Sequence, residues 1–178
     1  MFRFHASLEK SPLPVWRQLQ IREDVSIIEF AHAIAALFFE SPSDAIMRFD
    51  RHKFIINFLE NDEPQLELLK LRDLVTAPGQ RFHFEHHGDT SWSFLIEYIA
   101  KTEEPLKRAL CVDGRGDMPT DQWDSIEQLS DYVSEQISRN LSSNKANRNS
   151  IEEDFRVEID WFVPFDIGSI NDRLTECC

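Results

Sequence analysis

The chain has 178 residues, 42% of them apolar with 14 Phe and 4 Trp, which is ample material for a core. Lys and Arg number 19 against 32 Asp and Glu, a formal charge of −13; such a surface repels phosphate backbones, whose binding depends on neutralising cations. No stretch approaches the ~20 apolar residues that span a bilayer, the N-terminus MFRFHASLEK is not patterned as a secretory signal, and Cys111, Cys177 and Cys178 make no disulfide framework. These features predict one cytoplasmic domain over residues 1–178, with no nucleic-acid or membrane partner.

Phe2, Phe4 and Ala6 alternate with Arg3, His5 and Ser7, the period of a half-buried strand. The turn SPLP at 11–14 leads into a second alternating segment, 15–21, so the two predict a hairpin. A helix follows over 26–39. Ser26 and Glu29 have capping-box spacing, and Ile27, Phe30, Ala31, Ile34, Leu37 and Phe38 share one face. Strands are expected at 45–49 and 54–58, then a solvated loop at 60–67 and one or two helical turns at 68–75 before Ala77, Pro78 and Gly79 break the chain. Segments 81–87 and 92–99 pair as strands around Gly88, Asp89 and Thr90, and Gly88 is expected at positive φ in a bulged turn.

Residues 110–123 read as a loop. Asp124 and Glu127 form a second capping box for an amphipathic helix built on Ile126, Leu129, Val133 and Ile137 and ending near Asn140. A flexible polar loop at 142–150 precedes a last strand carrying Phe155, Val157, Ile159 and Trp161, with an irregular tail after it. The order predicts an α+β fold, a β-grasp-like roll in which a mixed sheet wraps one long helix, with a second amphipathic helix beside it. Trp16 is expected in the core and Arg17 at a strand edge.

Three of the chain's six histidines lie in RFHFEHHGDTSW, residues 81–92. On a strand, Phe82, Phe84 and His86 share one face, and His83, Glu85 and His87 share the other. Residues i and i+2 stand ~6.6 Å apart, so His83 with Glu85, or Glu85 with His87, is the nearest approach to a metal-binding pair. The simpler reading is a solvated polar face, and neither metal nor cofactor is expected. With Asp89 and with Asp113, Asp117 and Asp121 of the following loop, these residues form a candidate groove for a protein or small-molecule partner. The loop aspartates lack the order of a calcium-binding loop, and no nucleophile elbow or phosphate-cradling glycine motif is present. Cys111 reads as a small buried apolar residue.

The segments PVWR (Pro14 to Arg17), Pro78 and Gly79, Gly88 and Asp89 with Trp92, and Cys111, Gly114, Pro119 and Asp121 together resemble the signatures of the plasmid pRiA4b ORF-3-like family, also known from a resolvase-like element of a transposon. The tail FDIGSINDRL is similar to the family's closing segment. The chain departs from the pattern where Glu85, His86 and His87 replace Tyr-Asp-Phe and where Thr120 replaces a second proline. The resemblance implies an α+β roll and supplies no reaction. Recombination is not supported, since Tyr98 and Tyr132 lack the Arg-His-Arg constellation of a tyrosine recombinase and the tail is acidic. Three functions follow as expectations. The first is an interaction module, more in keeping with the residues than an enzyme. The second is a metal-dependent or acid/base hydrolase centred on 81–92 and 111–121, and the third an accessory protein of a mobile element.

Overall fold

The computed structural model describes residues 1–40, 43–50, 52–58, 64–88, 90–103, 107–118, 123, 125–146 and 165–177, without the side chains of 140–146 and 177. Seven strands, β1 (Phe2–Leu8), β2 (Trp16–Ile21), β3 (Ala45–Phe49), β4 (His52–Ile56), β5 (Arg81–His87), β6 (Ser91–Lys101) and β7 (Leu110–Arg115), form one sheet in the order β4-β3-β5-β6-β1-β2-β7. Every pairing among the described residues is antiparallel, so the sheet they form is not mixed. A parallel neighbour needs a long crossover, whereas three of the six neighbouring pairs, β1-β2, β3-β4 and β5-β6, are consecutive in the chain and joined directly.

Helix α1 (Ile27–Phe38) begins as its capping box dictates. The Glu29 N–H donates to Ser26 Oγ at 3.1 Å, and the Ser26 N–H donates to the Glu29 carboxylate at 2.6 Å. Its apolar stripe lies on the inner face of the sheet. The Phe30 ring is 4.9 Å from Phe4 and 5.7 Å from Phe82, and Phe38 stacks on Phe94 at 4.3 Å. Each such fully buried ring contributes roughly 1.5–3 kcal/mol over its exposed state. Among the described residues the longest helix is not α1, with 12 residues, but α4 (Ile126–Ala146), with 21. It enters the segment read as a flexible loop, because Ser142 to Ala146 simply continue its hydrogen-bonding pattern; 147–150 lie outside the described residues.

Several boundaries move for local reasons. Strand β4 starts at His52 rather than Phe54, because Asp50 takes a left-handed φ of 48° and closes a tight hairpin that sets Phe49 opposite His52. The second half of the expected loop at 60–67 opens α2 (Pro64–Leu68), with proline at its first position where no N–H is needed, and 60–63 lie outside the described residues. Helix α3 (Leu71–Leu74) occupies the expected helical turns.

Segment 110–115 is a strand, not a loop: β2 would otherwise expose a row of unpaired N–H and C=O groups, and β7 takes them with a register shift between Gln18 and Leu19. The tail is the helix α5 (Ile167–Cys177), which seats Ile170 and Leu174 in the core and sends Arg173 Nε to the Ala36 carbonyl at 3.0 Å. Asp124 and the strand expected at 155–161 lie outside the described residues.

Candidate functional site

Strand β5 has the expected faces. Phe82, Phe84 and His86 are buried toward α1, and His83, Glu85 and His87 look outward. Its pairing with β6 runs without a shift from Arg81 opposite Glu97 to His87 opposite Ser91, so the hairpin carries no bulge in that register. Gly88 does not take positive φ. A Cβ there would make ordinary contact, at 3.4 Å, with the His86 ring and Ser43 Oγ. Asp89 lies outside the described residues.

On the outer face the polar groups are tied to one another. His83 Nδ1 is 3.1 Å from a carboxylate oxygen of Glu9, which an N–H bond to Ser93 O at 2.9 Å holds beside β6. Glu85 pairs with Arg48 of β3, directly across the ladder from His83. His87 Nδ1 is 3.2 Å from Ser91 Oγ, and its Nε2 is 3.7 Å from Glu85 Oε2. Ser91, His87 and Glu85 thus stand in series as hydroxyl, imidazole and carboxylate. The second gap exceeds a hydrogen bond, and Glu85 is already engaged by Arg48. His83 and His87 keep 48% and 39% of their side-chain surface in water, Glu85 25%. Among the described residues no group of three His, Cys, Asp or Glu is placed to hold a metal ion.

The loop aspartates do not join this face. Asp113 sits on β7, four strand steps from β5, about 19 Å at ~4.8 Å per step. Its Oδ1 accepts from the N–H of the next residue, Gly114, at 2.8 Å, and Asp117 Oδ1 accepts likewise from the Met118 N–H at 2.8 Å. Asp121 lies outside the described residues. The groove that would have united the two segments does not form, because β6, β1 and β2 stand between them.

The family-signature residues meet elsewhere. Arg17 faces Gly114 across the β2–β7 ladder. The pairing of Ala6 with Arg17 puts that arginine on the core side and Trp16 on the outer side, where the Trp16 ring lies tilted against His5 at 5.1 Å. The expected roles of the two are therefore exchanged. Arg17 is 1% exposed; its Nη1 donates to the carbonyls of Trp16 and Arg115 at 2.8 and 2.9 Å, and its guanidinium lies 4.6 Å from the Phe165 ring centroid and 5.3 Å from that of Phe38. Burial pulls its pKa down to about 10 and pushes that of the neighbouring Cys111 thiol up to about 11. Asn171 of α5 caps the free side of β7: its Oδ1 accepts from the Cys111 N–H at 2.8 Å and its Nδ2 donates to the Cys111 carbonyl at 3.1 Å.

His86 is the other buried polar group. Its ring stacks on Phe39 at 3.8 Å, its Nε2 accepts from the Ser43 N–H at 3.1 Å, and Nδ1 has no partner among the described residues. Desolvation, with a smaller push from His87, drops its pKa to about 4. Strand alternation had already placed His86 with the phenylalanines. The strand pattern also set Arg17 with Val15 and Leu19, a signal overridden by its charge. Nothing local pointed to Asn171 or Glu9.

A model of the family described as plasmid pRiA4b ORF-3-like protein matches residues 1–164. The chain is also similar to a crystal structure of a protein of unknown function from Methanosarcina mazei Go1, at 14% identity and a TM-score of 0.60 over 94% of each chain, a likeness of fold. No curated protein matches.

Proposed function

The chain belongs to the plasmid pRiA4b ORF-3-like family, and on that premise we propose that it is a non-catalytic binding module engaging a protein partner through the outer face of β3, β5 and β6. The observation that carries this reading is that the Arg48–Glu85 ion pair, with His83 against Glu9 and His87 beside Glu85, gathers mutually partnered polar groups on an open sheet face. Pre-paired groups on a flat surface suit the polar complementarity of a protein interface, whereas small molecules are taken up in concave pockets. The exposed Ile55, on the neighbouring edge strand β4, adds apolar surface to the same end of the sheet. The charge of −13 favours a role that excludes duplex binding, including for a mobile-element accessory.

The series Ser91, His87, Glu85 favours a second reading, a hydrolase with Ser91 as nucleophile and His87 as base. One experiment separates the two. The purified chain is assayed with p-nitrophenyl acetate and for bound metal, alone and as Ser91→Ala and Glu85→Ala. The binding reading expects neither turnover nor metal that depends on these residues. Hydrolysis abolished by Ser91→Ala, or stoichiometric metal lost on Glu85→Ala, would establish the enzyme instead.

A further inference from the structure

A cleft of about 390 Å³ opens where three chain segments converge: the end of β2 entering α1, the start of α3, and the residues leading into β7. Backbone bonds fix the convergence. The Leu71 N–H donates to Val25 O at 2.9 Å, and the Arg72 N–H donates to Glu23 O at 3.0 Å. The pairing of Gln20 with Leu110 sets Arg22 beside Arg108 and Ala109.

This architecture brings five cations, Arg22, Lys70, Arg72, Lys107 and Arg108, into one lining against two acids, Asp24 and Glu29. In a chain of charge −13 that is a local inversion of sign. Both acids are engaged already. Asp24 takes the Arg22 guanidinium in a two-point pair at 2.9 and 2.6 Å, and Glu29 accepts the Ser26 N–H in the α1 cap. Arg72, Lys107 and Arg108 are exposed and make no side-chain hydrogen bond or ion pair among the described residues. Arg72 lies within the field of Glu23 and Asp24, Lys107 and Arg108 face the cleft with no acid partner among the described residues, and Lys70 lies half-buried beside them.

We propose that this cleft binds a compact phosphate-bearing small molecule, its phosphate oxygens held by Arg72, Arg108, Lys107 and Lys70. Arginine forks and lysine ammonium groups together match the geometry and charge of phosphate oxygens. The remaining lining, Ile21, Val25 and Ala109, is small and apolar with no aromatic ring, so it offers no platform for stacking a base. The rest of the surface repels a long polyanion, whose phosphates would extend more than a Debye length beyond the cleft, whereas a small anion meets only the local field. The site goes beyond the protein-binding face, shares no residue with it, and stands or falls separately.

The probe is inorganic pyrophosphate, titrated calorimetrically into the full chain at low salt. Saturable binding is expected, weakened about tenfold or more by the pair Arg72→Gln and Arg108→Gln and by raised salt, and within about twofold of the parent for Arg139→Gln on α4. Thermal melts of the parent and each variant verify folding. Absence of binding up to about 10 mM pyrophosphate overturns the proposal. So does equal weakening by Arg139→Gln, or a single-stranded oligonucleotide that competes more tightly than pyrophosphate.

Discussion

Replacing Arg17 by alanine removes an ion that the fold has enclosed on all sides. Two carbonyls, those of Trp16 and Arg115, lose their charged donor, and the Phe165 and Phe38 rings lose the cation they flank. Hydrogen bonds to a charged group contribute ~1.5–3 kcal/mol each and a desolvated cation–π contact up to ~2. Against them stands the recovered cost of burying the charge, evident in a pKa drawn down to about 10 by desolvation. Arg17 Nε, without a partner among the described residues, adds to that cost. The balance predicts a loss of about 3–5 kcal/mol for Arg17→Ala.

Gly114 provides the internal control. A Cβ there would sit 2.8 Å from Arg17 Cδ, 2.9 Å from the Trp16 carbonyl oxygen and 3.0 Å from Phe165 Cε2. The side chain can shift, but the carbonyl is held in the ladder. Gly114→Ala should therefore cost about 2 kcal/mol, and the double variant should lose about 1 kcal/mol less than the sum of the two, because one of the three clashes has gone. Urea denaturation followed by tryptophan fluorescence measures all four corners of the cycle. An Arg17→Ala loss under ~1 kcal/mol, or additivity within ~0.5 kcal/mol, would refute the enclosure argument.

Three further outcomes follow from buried groups. His86 is held neutral by burial to a pKa of about 4, below its unfolded value of 6.5. The unfolded chain then binds the extra proton first, so stability is full above pH ~6.5 and falls by up to ~3 kcal/mol as pH drops toward 4. Denaturation curves across that window should flatten in His86→Phe by comparison with the parent. His5 and His32, also lowered by burial, contribute in the same direction. Phe30→Ala, which empties the contact between α1 and the rings of Phe4 and Phe82, should cost ~3–5 kcal/mol in the same assay, and a loss near zero would contradict the placement of the helix. Cys111, its thiol pushed up to about 11 by burial, should resist iodoacetamide at pH 8 until urea unfolds the chain, as read by peptide mapping.

Period and caps made much of this fold legible from the chain alone. Alternation defined β1 and β2 and the inward face of β5, because a strand with one wet side must repeat every second residue. The Ser26 and Glu29 side chains marked the start of α1 because the first N–H groups of any helix need acceptors close in sequence.

What local pattern cannot carry is the identity of a neighbour. Strand order alone separates His83 from Asp113 by four steps, and it brings Arg48 and Glu9 to the face that the hairpin presents. The free edge of β2 turned a glycine-rich stretch into β7, and Asn171 closes the next edge from a residue 60 positions away. Arg17 shows the same division. Its alternation with Val15 and Leu19 was written in the sequence, but only a ring of carbonyls and aromatics assembled from β2, β7, α1 and Phe165 makes a buried guanidinium tolerable. Periodicity is set by backbone geometry within one element, whereas burial of a charge depends on partners that the chain must travel far to supply.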